Sequence, residues 1–189
     1  LERNLNLVFQ VLELTDRAVV CVNLLDEARK KGVEVDLPAL EDFLGVPVVG
    51  AAARSGEGIE KILPAVEQTL KGRPVPRRAE LPPDITRAAA QLAAALAPCL
   101  AGALSPRFAA LRLLEGDVRF REELARRFSL PPGLDAEIRA AQALLSPGEE
   151  PVSDRVVSAL YQAAEQACRR AVRRRGYDQR QLRLDRLLT

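Results

Sequence analysis

The residues with the clearest chemical potential are Asn23 and Asp26, in the run Asn23-Leu24-Leu25-Asp26, and the small-residue run Ala52-Ala53-Arg54. A carboxylate fixed at the end of a strand can accept two hydrogen bonds from adjacent N–H donors on a planar base. Guanine offers such a pair at N1 and its amino group, and adenine does not. A wrong base would leave the buried acceptor unpaired, which is a strong basis for selectivity. The asparagine amide can tie neighbouring loops together and reach the base edge. A backbone N–H near Ala53 can donate to the guanine carbonyl oxygen, and backbone donation asks for no particular side chain. Alone, the tetrapeptide reads first as a turn and a helix N-cap. Its setting favours base recognition: strand, Asn-x-x-Asp, helix, strand, small-residue loop, helix.

Those elements can be read from periodicity. Leu1, Leu5, Val8 and Leu12, with Phe9, give an amphipathic helix to about Leu14. Ala18 to Val22 is a short apolar, β-branched run, expected to be a strand buried on both faces. A short basic helix follows and stops at Gly32. Asp36 is placed to cap the next helix, with Pro38 in its first turn and Gly45 at its end. Val46 to Gly50 reads as a second strand. The loop 51–58 leads to a helix expected to bury Ile59, Ile62, Leu63, Val66 and Leu70. The order predicts an α/β, doubly wound sheet with about two strands present. Such a sheet ordinarily has more strands, so the rest are expected before Leu1 or in another chain. The chain starts without Met inside an amphipathic pattern, and reads as a piece of something longer.

Residues 72–83 hold Pro74, Pro76, Pro82 and Pro83 and predict a stiff connector. Everything after it reads as helix, over about 84–97, 105–115, 117–128, 135–145 and 153–175. The expected division is therefore 1–71, the α/β part; 72–83, the connector; and 84–189, an all-α domain.

Composition excludes several function classes. There is no histidine, so serine–histidine and cysteine–histidine catalysis and the commonest zinc ligand are absent from these 189 residues. No metal site and no catalytic residue is predicted. Cys21, Cys99 and Cys168 show no C-x-x-C spacing and read as small core residues in a reducing compartment. Glu122-Glu123 and Glu149-Glu150 read as solvated carboxylates, since neighbours on a helix point about 100° apart. Arg169 to Arg175 carries five arginines. It reads as a solvated helix face, a juxtamembrane basic segment or, less well, a nucleic-acid contact. With two Tyr and five Phe, little is available for base stacking, and no nucleic-acid partner is expected. No apolar run approaches the roughly 18 residues of a membrane span.

Several stretches resemble the FeoB family of bacterial ferrous-iron transporters. Leu1-Glu2-Arg3-Asn4-Leu5 is similar to the family's "LERNL". Val22 to Ala28 is similar to its "NMMDEA", where a hydrophobic residue also stands in for the usual lysine. Lys31 to Asp36, Leu44 to Val49 and Arg54 to Ile59 resemble its "KGIEID", "LGVPVV" and "ARTGEGI". The tail from Leu184 to Thr189 resembles the "IDRILT" before the first transmembrane helix. The likeness is strongest over 1–70.

The resemblance implies the back half of a cytoplasmic P-loop-GTPase-like domain and a helical regulatory domain, at the cytoplasmic face of the bacterial inner membrane. Asn23, Leu24 and Asp26 would be guanine-binding, with Ala52, Ala53 and Arg54 as the second guanine loop. Ala52 stands where serine is usual, a change expected to speed GDP release. The implied ligands are GTP and GDP, with Mg2+ only alongside a phosphate-binding half. No G-x-x-x-x-G-K-[ST] occurs in these residues, and no D-x-x-G follows such a loop to hold magnesium. The chain alone is expected not to hydrolyse GTP. Its implied partners are the guanine nucleotide, that missing half, the membrane domain and copies of itself as a homo-oligomer. A sheet cut this way is expected to expose an edge, lose stability and self-associate. The alternative is a nucleotide-independent interaction or scaffold module, a degenerate relative that kept the shape.

Overall fold

A computed structural model of the chain describes residues 2–72 and 74–174. The order is α1 (Glu2–Leu14), β1 (Val20–Val22), α2 (Leu25–Lys30), β2 (Val33–Val35), α3 (Leu37–Leu44) and β3 (Val48–Gly50). A 3-10 turn at Ile59–Lys61 enters α4 (Ile62–Lys71). Then come α5 (Pro83–Leu100), α6 (Pro106–Leu114), α7 (Val118–Arg127), α8 (Leu134–Gln142), α9 (Val152–Ala171) and β4 (Val172–Arg174). The α/β-then-helical order is the predicted one. The chain divides into two compact units. Of the described residues, one unit holds those of 16–77 with 2–5 and 165–174. The other holds 78–164 with 6–15.

In the first unit β1 and β3 pair in parallel, with Val20 opposite Val48 and Val22 opposite Gly50. These are the two predicted strands. Gly50 has no room for a side chain: a Cβ there would lie 2.4 Å from Leu25 and 2.5 Å from Leu37. Asp36 caps α3 as expected, its carboxylate accepting from Ala39 N–H at 3.0 Å. Gly45 closes α3 at φ +69°, where a Cβ would collide with the Val75 carbonyl at 2.2 Å. The single D-x-x-G spelling in the sequence, Asp42-Phe43-Leu44-Gly45, is the end of this helix.

Four expectations are corrected. The last helix stops at Ala171, and residues 172–174 are a strand, antiparallel to β2 with Val35 opposite Val172. Val33-Glu34-Val35 and Val172-Arg173-Arg174 begin on β-branched residues that suit pairing better than a frayed last turn. Gly176 and the tail 184–189 lie outside the described residues. The helix α4 buries Ala65 and Thr69, while Ile59, Leu63, Val66 and Leu70 are exposed. Two strands are too narrow to cover its whole apolar stripe. For the same reason β1 is not buried on both faces, and Cys21 is exposed. Cys99 and Cys168 are half-buried, so none of the three cysteines is a full core residue. Burial pushes the Cys168 thiol pKa up.

The second unit is built around one helical core. α5 packs on α6 and α8, and α6 on α7. Ile85, Ala88, Ala89, Leu92, Leu96 and Leu100 of α5 are completely buried. They recur at three- and four-residue intervals, the spacing of one helix face. Ser105 and Asp117 cap α6 and α7 by accepting from Phe108 and Phe120 N–H. Asp84 and Arg155 form a deeply buried bidentate pair at 2.7 and 2.9 Å, and Asp84 also accepts from Ser146 N–H at 3.0 Å. Glu122 and Glu123 are exposed, and Glu123 pairs with Arg126 and Arg127.

Candidate functional site

The site residues sit where the two parallel strands end. Ala51 N–H donates to the Val22 carbonyl at 2.9 Å, and Leu25 N–H to the Ala51 carbonyl at 3.1 Å. These bonds extend the β1–β3 pairing past the strands and set the run 23–26 beside the run 51–54. Asn23 closes the arrangement: its Oδ1 accepts from Leu24 N–H at 2.8 Å and from Ala53 N–H at 3.0 Å. Asn23 therefore does not cap α2. It links the two candidate loops through one oxygen.

Leu24 occupies the N-cap position of α2 with φ +63° and ψ +32°, and no side chain caps the helix. A leucine in the left-handed region costs roughly 1 kcal/mol or more. Such strain persists only where neighbouring structure fixes it, here the Asn23 link and the Leu25–Ala51 bond. The Leu24 side chain is 51% exposed. Asp26 follows in the first turn of α2, and its carboxylate has no hydrogen-bond or ion-pair partner among the described residues. It is an acceptor without an internal donor, near the positive end of the short helix.

The second loop is a tight turn. Ala52 N–H donates to the Glu57 carbonyl at 2.9 Å, and Ser55 donates to the Ala52 carbonyl through both N–H and hydroxyl, at 3.0 and 3.1 Å. Ala52 is buried at 1% exposure, whereas Ala53 and Arg54 are exposed. Gly58, at φ +79°, lets the turn close, since a Cβ there would lie 2.1 Å from the Gly50 carbonyl. All six predicted residues thus fall on these two neighbouring runs. One expectation meets a conflict: the Ala53 N–H, expected to face a base, is spent on Asn23. The N–H of Arg54 is the next donor along the loop.

Sequence reasoning missed a third connection. Arg29 of α2 forms an ion pair with Glu57, at the far end of the second loop. No local pattern announces a pair 28 residues apart. A cavity of about 390 Å3 lies behind α2, lined by Leu25, Arg29, Val33, Glu34, Asp36 and Arg173 among others. It includes none of Asn23, Asp26 or Ala52 to Arg54.

The family described as ferrous iron transport protein B matches residues 1–66, and that described as the FeoB cytosolic helical domain matches 82–173. The chain belongs to the FeoB family, to its cytosolic region. Over 73 residues it is 38% identical to the Fe(2+) transport protein A/Fe(2+) transporter FeoB fusion protein of Porphyromonas gingivalis, covering 39% of this chain and 9% of that protein. Over 68 residues it is 44% identical to the Fe(2+) transporter FeoB of Salmonella typhimurium, covering 36% of this chain and 9% of that one. The GDP-bound A143S mutant of the S. thermophilus FeoB G-domain superposes with a TM-score of 0.77 at 22% identity, over 92% of this chain and 65% of that one. The cytosolic domain of T. maritima FeoB in its GMPPNP form gives 0.68 at 22%, over 91% and 63%. The match thus spans about a tenth of the curated relatives and under two thirds of the solved chains. The structural likenesses establish the FeoB fold: an α/β region with few strands, then the helical domain.

Proposed function

We propose that this chain carries the guanine-reading loops and the helical regulatory domain of a GTP-dependent ferrous-iron transporter. The observation that carries the reading is the Asn23 oxygen, which binds the N–H of Leu24 and of Ala53 and so sets the two loops side by side. Asp26 would accept the two guanine N–H donors. Ala52, Ala53 and Arg54 would frame the base carbonyl, with Leu24 against the ring. On nucleotide binding the Ala53 N–H would leave Asn23 for the base, or the Arg54 N–H would take that role. Nothing in these residues supplies a phosphate cradle or a magnesium ligand of the usual motif, so both would come from a preceding half of the GTPase domain.

The exposed stripe of Ile59, Leu63, Val66 and Leu70 fits that arrangement. It is the apolar surface of α4 that a wider sheet and its flanking helix would cover. The domain division 1–71, 72–83 and 84–189 belongs to the same proposal, as does a place at the cytoplasmic face of the membrane. No helix among the described residues is long and apolar enough to cross it.

The test is base selectivity in the whole transporter. The wild-type protein should prefer GDP to ADP by roughly a thousandfold or more. Asn23→Ala should speed GDP dissociation while leaving the helical content unchanged. Equal binding of GDP and ADP would favour the nucleotide-independent scaffold instead.

A further inference from the structure

The second feature that points outward is a set of cations in the α/β unit. Phe43, at the end of α3, is buried at 3% exposure, and two arginines from distant parts of the chain lie over its ring. The guanidinium carbon of Arg77 is 5.1 Å from the ring centroid and that of Arg170 is 4.9 Å. The ring's negative face holds both cations. Arg173 follows on β4, held by the ladder with β2. All three arginines are exposed, and none is in an ion pair with a described residue. Arg169 differs, being paired with Glu165 one turn back. Glu34 stands opposite Arg173 across the ladder, and Asp42 is exposed on α3 near Phe43, so the patch is not free of acid. Yet no acidic residue occurs between Glu165 and Asp178.

Two like charges converging on one ring repel each other, and no carboxylate among the described residues pairs with either. The energy of that arrangement is offset when an anionic surface lies against it. Guanidiniums stacked on a ring keep their edge N–H groups free to donate to phosphate oxygens. Phe43 is buried, so the patch offers no aromatic face to a nucleic-acid base. We propose that Arg77, Arg170 and Arg173 form a docking patch for the anionic headgroup layer of a bilayer, at the point where the chain leaves α9. The patch shares no residue with the Asn23–Asp26 run, and the proposal stands whether or not that run reads guanine.

The test is vesicle co-sedimentation of the 189-residue chain. Binding should be weak to pure phosphatidylcholine, strong with about 30% phosphatidylglycerol, and should fall steeply with salt. The triple variant R77Q/R170Q/R173Q should bind anionic vesicles about a hundredfold less tightly, at roughly one factor of five per arginine. The control R121Q/R126Q/R127Q on α7 removes the same charge and should stay within about twofold of wild type. The triple lysine variant at 77, 170 and 173 should retain most binding, because a headgroup layer reads charge more than fork geometry. If the glutamine variant loses helical circular dichroism, the salt dependence of the lysine variant decides. Unchanged binding by the glutamine variant, equal binding to neutral vesicles, or no salt dependence would overturn the proposal. Displacement by millimolar inorganic phosphate would instead mark a free-phosphate site, and tighter binding to duplex DNA than to vesicles a nucleic-acid patch. Either would also overturn it.

Discussion

The two units of this chain solve the same problem differently. The helical unit has a continuous buried core, though it too exposes scattered large apolar residues such as Leu7, Val118 and Tyr161. Its α5 stripe is fully buried, and its deepest acid, Asp84, has Arg155 and Ser146 as donors. The α/β unit remains open: Cys21 and four large apolar residues of the 59–70 region face solvent. The difference follows from the range of the contacts. A helix satisfies its own backbone and needs only a neighbouring stripe. A parallel strand needs partners from elsewhere in the chain, and each three-residue strand here has one. A helical domain can therefore be complete within about ninety residues, whereas a doubly wound sheet of two strands cannot be.

The largest expected effect that would sharpen this comparison is at Asp84. Replacing it with alanine leaves Arg155 without its partner inside the helical unit, at a cost of about 3 kcal/mol or more by urea denaturation. A loss below about 1 kcal/mol would mean that the unit is looser than its packing indicates. The same residue gives a pH signature. The Arg155 hydrogen bonds, then the Ser146 N–H, hold the Asp84 carboxyl well below the usual carboxylate range, against an opposing push from burial. An acid depressed on folding binds its proton more readily in the unfolded chain. Its contribution is therefore fully present above the unfolded value of about 3.9 and is lost as pH falls from there toward the depressed folded value. Asp84→Asn should be less stable than wild type at pH 7 and should show a shallower loss between about pH 4 and pH 2. Parallel acid limbs would contradict the pairing.

Next in size is the contrast between two leucines. Leu92→Ala opens a cavity in a fully buried face and should cost about 3 kcal/mol. Leu63→Ala, at 66% exposure, should change the stability of this chain by less than about 0.5 kcal/mol. Equal effects would break the comparison. In between lies Asp36→Ala, which removes the α3 cap and should cost about 1 kcal/mol. Smallest in stability, but visible in association, is the joint change of Leu63 and Leu70 to glutamine. It should reduce concentration-dependent light scattering of the isolated chain, because the exposed stripe invites self-contact.

The sequence and the structure agree where local rules suffice. The caps at Asp36 and Ser105, the C-cap at Gly45 and both strands flanking the site could be read from residue type and spacing. So could the membership of Asn23, Asp26 and Ala52 to Arg54 in two neighbouring runs. What was not legible depends on distant partners. The burial of α4 was overestimated because its periodicity says which side is apolar, not whether anything covers it. The strand at 172–174 looked like a continuing helix because its partners, Val33 to Val35, are 137 to 141 residues away in sequence. The left-handed Leu24 had no signal at all, since leucine is a poor choice for that conformation. The Arg29–Glu57 pair was equally silent.

The most direct test of the central claim is a base-specificity swap at Asp26 in the whole transporter. Guanine presents two donors to a carboxylate, whereas xanthine presents a carbonyl and suits an amide. The account predicts that Asp26→Asn loses affinity for GDP by about a hundredfold or more and gains affinity for xanthosine diphosphate. If GDP affinity is unchanged and xanthosine diphosphate still does not bind, Asp26 does not read a base, and the Asn23-linked loops serve structure alone.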